Sequence, residues 1–193
     1  GDIPEREIAY PSGAAMIIKR DVFLKLGLFD EDTLAATLAY HDDMDLGWRM
    51  RILGYKTMLA PLSIAHHKYS FKREKKLYYL ETGRLAMLLK TYSIKTLILI
   101  FPAFLATELF IILYSIRHRW FGYKVESYIS VLSNIVHILR KRKIVQSSRR
   151  VSDREVVEPF TSEFKFKEVP SPVVDHLANP VLSIYWRFIK QFI

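Results

Sequence analysis

Residues 39–56 read AYHDDMDLGWRMRILGYK, and this stretch decides how the chain is organised. Asp42, Asp43 and Asp45 fall within four positions, directly before apolar residues at helical spacing, Leu46, Met50 and Leu53. The start of a helix stabilises negative charge and offers unpaired N–H groups, so one aspartate is explained by capping. Capping explains three poorly. Arg49 stands four residues after Asp45, where two side chains meet across one helical turn, so the spacing predicts an Asp45–Arg49 pair. That leaves Asp42 and Asp43 for a cleft. Adjacent carboxylates repel, and when two share a site the pKa of one rises until it can act as a base near neutral pH. Gly54 ends the helix.

Working outward, residues 13–20 (GAAMIIKR) place small residues before an apolar, strand-like run. Lys19, Arg20 and Asp21 then open a helix, DVFLKLG, with Gly27 as its C-cap. Small residues at a strand start let the backbone approach a ligand closely. GLFDED follows as a turn carrying Asp30, Glu31 and Asp32. On the other side of the acidic helix, YKTMLAPLSIA reads as a short strand with His66 and His67 at its end. Neighbours on a strand point to opposite faces, so at most one of the two histidines faces the cleft. Carboxylates with one imidazole and no Cys point away from structural zinc and towards a harder divalent cation.

The whole chain has 193 residues, 29 Lys and Arg against 20 Asp and Glu, a net charge of +9 and no cysteine. Half its residues are apolar and a quarter are charged, which excludes a disordered or collagen-like chain. The lack of Cys excludes disulfides, thiolate nucleophiles, Cys zinc sites and iron–sulfur clusters. The chain opens on Gly rather than Met and on no signal peptide, so it is expected to be a piece of a longer protein.

Beyond residue 72 the character changes. Residues 73–93 read as a helix, with Leu77, Leu80, Leu85, Leu88 and Leu89 among its apolar positions. Residues 96–116, TLILIFPAFLATELFIILYSI, carry one charge, Glu108. Their length matches a bilayer core of about 30 Å, and basic residues stand on both sides of the run. Pro102 predicts a kink, and Glu108 must be paired or face protein. The run is therefore expected to span a membrane or lie in its interface; the alternative is a fully buried helix of a soluble protein. Val125, Ile129, Leu132, Val136 and Leu139 follow at helical spacing, then the cluster Arg140–Lys143. An amphipathic helix ending in basic residues suits an anionic membrane surface; a packed helix with a solvated basic end has the same pattern. No interleaved aromatics accompany the charge, so no nucleic-acid partner is expected. After residue 146 comes a proline-containing polar linker, then an aromatic amphipathic helix, VLSIYWRFIKQFI. Three regions result: 1–93, 94–145 and 146–193.

Three blocks in this order, SGAAMIIKRDVFLKLGLFDE, HDDMDLGWRMRILGYK and PLSIAHHKYSF, resemble the C-terminal half of the catalytic domain of family 2 glycosyltransferases, inverting enzymes of the GT-A fold. The resemblance covers roughly residues 10–92 and runs on towards KRKIVQSSRRVSDRE, as in membrane-associated members. It implies an α/β fold, the acceptor-side half of a GT-A domain over residues 1–93 followed by membrane-associated α-helices. It implies sugar transfer from a nucleotide-diphosphate sugar to an acceptor hydroxyl in surface polysaccharide, glycolipid or lipid-linked oligosaccharide synthesis, at the cytoplasmic side of the cell membrane. Asp43 matches the family's base; Asp42 stands where Glu is usual and touches substrate. His67 matches the ligand of the Mg²⁺ or Mn²⁺ that holds the diphosphate. Ser12, Gly13 and Ala14 match the turn lining the sugar or acceptor site. The family's nucleotide-binding half and its Asp-x-Asp motif have no counterpart here, so the chain by itself is expected to be inactive. The alternatives from the residues are a non-catalytic membrane-anchored remnant and an anionic-surface binding module.

Overall fold

The structure, a computed structural model, describes residues 4–34, 40–68, 76–163 and 174–193. Among them the chain is mostly helical, with one two-stranded sheet. Strand β1 (Arg6–Ile8) pairs antiparallel with β2 (Thr57–Leu59), Arg6 opposite Leu59. Between the strands come α1 (Arg20–Lys25), α2 (Glu31–Leu34) and α3 (Asp42–Ile52). Gly27, at φ +77°, ends α1 as its position predicts. An α/β class holds only loosely.

Two expected strands differ. The run at 14–18 forms none: it has no partner strand among the described residues, and Ile17 is fully exposed (101%). A lone extended segment leaves its backbone groups to water and gains no ladder. The strand expected over 55–65 is confined to Thr57–Leu59. Pro61 lacks an N–H donor and closes it into a turn.

Helix α4 (Lys76–Thr91) is the centre of the molecule. It packs on α2 and α3 and on α6 (Phe121–Ser133) and α7 (Ile135–Ser147). Trp48 and Ile52 of α3 join Met87 of α4, Val145 of α7, Val156 and Val157 in one buried cluster. The last two belong to α8 (Asp153–Val156) and its C-cap, so the segment that reads as a linker supplies core. A second cluster joins Leu85 and Ala86 to Val131 and Ile138. The C-terminal carbonyls of α4 are capped from α7: Arg142 donates to Leu89 O (2.5 Å) and Tyr92 O (2.7 Å), and Gln146 donates to Thr91 O (2.8 Å). Part of the basic cluster therefore serves as a helix cap.

Helix α5 (Ile94–Arg117) runs unbroken through Pro102. Ser93 caps its start by accepting the Thr96 N–H. It is the one helix among the described residues long and apolar enough to cross a membrane, and only 11% of that span is buried. One π-helical turn, Val174–Ala178, leads into α9 (Asn179–Ile189), which lies against α5. Tyr185 on α9 donates to the Leu99 carbonyl, three residues before Pro102, at 2.6 Å. A neighbour's hydroxyl thus reaches the turn that the proline weakens.

Candidate functional site

The acidic pair sits in the first turn of α3, and the turn at residues 10–15 folds over it. Ser12 O accepts the Ala15 N–H at 3.1 Å, closing the turn, and the Gly13 N–H donates to Asp43 Oδ2 at 2.9 Å. Asp43 Oδ1 accepts the Met44 N–H at 2.7 Å. The structure thus brings Gly13, with its neighbours Ser12 and Ala14, onto Asp43. Gly47 permits this approach: a Cβ there would stand 2.9 Å from Tyr10 Cα and 3.1 Å from Pro11 Cδ. Any side chain at 47 would push the turn off the helix.

Asp42 precedes Asp43 in the same turn and is half-buried. Burial, and then the Asp43 carboxylate, push its carboxyl above the usual range. Tyr10 adds a phenol to the site, and burial followed by the Asp43 charge pushes it up.

Asp45 does something else. It is fully buried, bonds Arg49 at 2.8 Å through Nε as the i, i+4 spacing predicts, and pairs with Lys90 of α4. Lys90 also meets Asp30 at 2.8 Å, and Lys141 of α7 joins Asp30 (3.3 Å) and Asp32 (2.8 Å). The third aspartate thus anchors α3 to α4, and only Asp42 and Asp43 remain at the turn.

The structure adds His41, which composition does not single out. It is buried, its Nδ1 has no hydrogen-bond partner, and its ring lies flat on Gly83 of α4, where a Cβ would stand 2.7 Å from Cγ. Burial lowers its pKa despite the opposing pull of Asp43, which favours the neutral ring. Its signal in the sequence is the glycine in the middle of the α4 pattern, a residue that marks close approach.

His66 and His67 are both exposed and lie well past the end of β2 in an irregular segment. Strand alternation therefore does not assign one of them to the cleft, a correction that follows from Pro61 ending the strand. Among the described residues no group of three or more His, Asp or Glu could hold a metal ion. His67 supplies at most one donor, so these residues alone do not make a Mg²⁺ or Mn²⁺ site.

What remains is a carboxylate oriented by two backbone N–H groups, next to a half-buried second carboxyl, a phenol and an open turn. Each Asp43 oxygen keeps a lone pair beyond its backbone bond, so the group can accept a hydroxyl proton from a bound ligand. No protein family, curated protein or solved structure matches the chain in comparison with known proteins.

Proposed function

We propose that this chain is the acceptor-side part of an inverting, family 2-type glycosyltransferase of the GT-A fold, acting at the cytoplasmic face of the cell membrane. The observation that carries the reading is the Gly13 N–H to Asp43 bond, which joins two sequence blocks thirty residues apart into one site. Asp43 accepts the proton of an acceptor hydroxyl as that oxygen attacks the anomeric carbon of a nucleotide-diphosphate sugar. The new carbon–oxygen bond forms as the bond to the diphosphate breaks on the opposite face, which inverts the centre. Asp42, Ser12, Gly13 and Ala14 position the glycan or lipid-linked acceptor. In this reading His67 is one donor to Mg²⁺ or Mn²⁺, and the remaining donors come from outside the described residues. The exposed apolar residues outside the regular elements, Ile17, Leu62 and Ile64, support a larger catalytic unit that covers them.

The test is sugar transfer by the product of the whole gene, assayed with a panel of nucleotide-diphosphate sugars and extracted membrane lipids. Transfer that needs Asp43 supports the reading. Transfer unaffected by Asp43→Asn, or a whole gene product without transfer to any acceptor, favours the non-catalytic anchored remnant.

A further inference from the structure

We propose that α5 does not cross the bilayer but lies in its plane, inserted sideways into one leaflet of an anionic membrane. Its outward side chains, Ile98, Phe101, Leu105, Leu109 and Leu113, are all exposed. They recur every three or four residues and, with the exposed Ile94, Phe110 and Ile116, lie on one broad side of the helix. The opposite face carries the one charge of the apolar run. Glu108, near the middle of α5, pairs with Arg84 of α4 at 2.5 Å and with Lys124 of α6, and accepts the Tyr128 hydroxyl at 2.5 Å. Arg84 and Lys124 also share Glu81. Four charges from three helices thus sit at the midpoint of the apolar helix.

Upright insertion fails on distance. Half the hydrocarbon layer is about 15 Å thick, and packed helices lie about 8–10 Å apart. With Glu108 at the bilayer centre, Glu81, Arg84 and Lys124 would stand at the same depth. Gly83, beside Arg84, carries the His41 ring, so the start of α3 and the Gly13 turn would follow into hydrocarbon. That turn is irregular backbone, which lipid cannot satisfy. Laid flat, α5 keeps the charge cluster on the protein side and gives lipid its exposed side along its whole length.

The neighbours fit the same occupant. α6 and α9, both in contact with α5, expose apolar residues of their own, Val125, Ile129 and Leu132 on one, Val181, Ile184 and Phe188 on the other. On α7, exposed Arg140 and Lys143 interleave with exposed Val136, Leu139 and Ile144. Basic side chains set among apolar ones suit anionic headgroups above acyl chains. In a chain of net charge +9 they disfavour a second copy packed against α7, since like charges would meet. The docking needs only these helices and is independent of the sugar-transfer reading.

The chain has no cysteine, so single nitroxide labels at Ile98→Cys, Leu105→Cys and Leu113→Cys report depth cleanly on the full chain. On vesicles of phosphatidylcholine with phosphatidylglycerol, in-plane insertion gives three similar depths, about 5–10 Å below the headgroups. A gradient with Leu105→Cys near the bilayer centre and the outer labels near opposite surfaces would overturn the proposal in favour of a span. Labels shielded from lipid but broadened by a second copy would overturn it in favour of self-association. Arg140→Gln with Lys143→Gln should weaken binding to these vesicles about thirtyfold, and unchanged affinity would remove the anionic preference.

Discussion

The Gly13 N–H and the Asp43 carboxylate meet at 2.9 Å across thirty residues of chain, while the other Asp43 oxygen takes the N–H of its own neighbour, Met44. One side chain therefore fixes the turn before α1 to the first turn of α3 and still presents lone pairs outward. Asp43→Asn keeps an acceptor oxygen but removes the base. In the whole gene product kcat should fall about a hundredfold or more, with circular dichroism unchanged. Asp42→Asn should lower kcat/KM less, through acceptor positioning, and the two effects should separate in steady-state kinetics.

Gly83 and His41 give a steric test. A Cβ at 83 would overlap the imidazole, with Cγ at 2.7 Å and Cε1 at 2.8 Å. Gly83→Ala should cost about 1–3 kcal/mol in urea unfolding, the usual scale of overpacking. His41→Ala opens the space, so the double variant should recover part of that loss, a coupling that additive sites would not show.

Lys90 is fully buried between Asp45 and Asp30. Lys90→Met leaves two buried carboxylates without the cation they share and should cost about 3–5 kcal/mol. The pH dependence follows from Asp30. Burial pushes its carboxyl up, but Lys90, the Thr33 N–H and Lys141 outweigh burial and hold it well below its ordinary 3.8. A pKa depressed by folding gives stabilisation that is complete above that ordinary value and is lost as the pH falls through the folded-state pKa. The denaturation midpoint of the natural chain should therefore drop on acidification below about pH 4. Lys90→Met should flatten that limb, as measured from pH 2.5 to 6.

Glu108 tests whether α5 is tied to α4 and α6 by charge. Glu108→Leu removes the carboxylate shared by Arg84, Lys124 and Tyr128. A lipid-facing glutamate replaced by leucine would strengthen membrane partitioning. Here hydrogen exchange of α5 should instead speed up and thermal stability fall, by about 3 kcal/mol for a broken buried pair. Glu108→Gln should lie between the two.

Much of the local structure was legible in the residues. Apolar spacing marks α3, α4 and the long α5, Gly27 marks the end of α1, and the four-residue step from Asp45 to Arg49 predicts their pair. These features obey short-range rules of helical periodicity, capping and one-turn contact, so they need nothing from the rest of the chain. The expected strands at 14–18 and 55–65 were not legible in the same way. A strand needs a partner at hydrogen-bonding distance, and an apolar run does not say whether one arrives.

The amino-acid sequence by itself determined that three aspartates open a helix, that one of them pairs with Arg49 within it, and that residues 96–116 form an apolar helix with a single carboxylate. Only the tertiary structure decided what each carboxylate does. Asp45 is an anchor because α4 brings Lys90 to it, forty-five residues on; Asp43 meets the Gly13 turn because Gly47 lets the backbones close. Glu108 is buried among cations because α4 and α6 both reach it, and His66 and His67 stay exposed because Pro61 stops their strand early. The physical reason is one of range. Periodicity and capping act within a turn or two, whereas the partner of a charge is set by how whole helices pack, and the same Asp or Glu is cap, anchor or base according to what that packing places within about 3 Å of it.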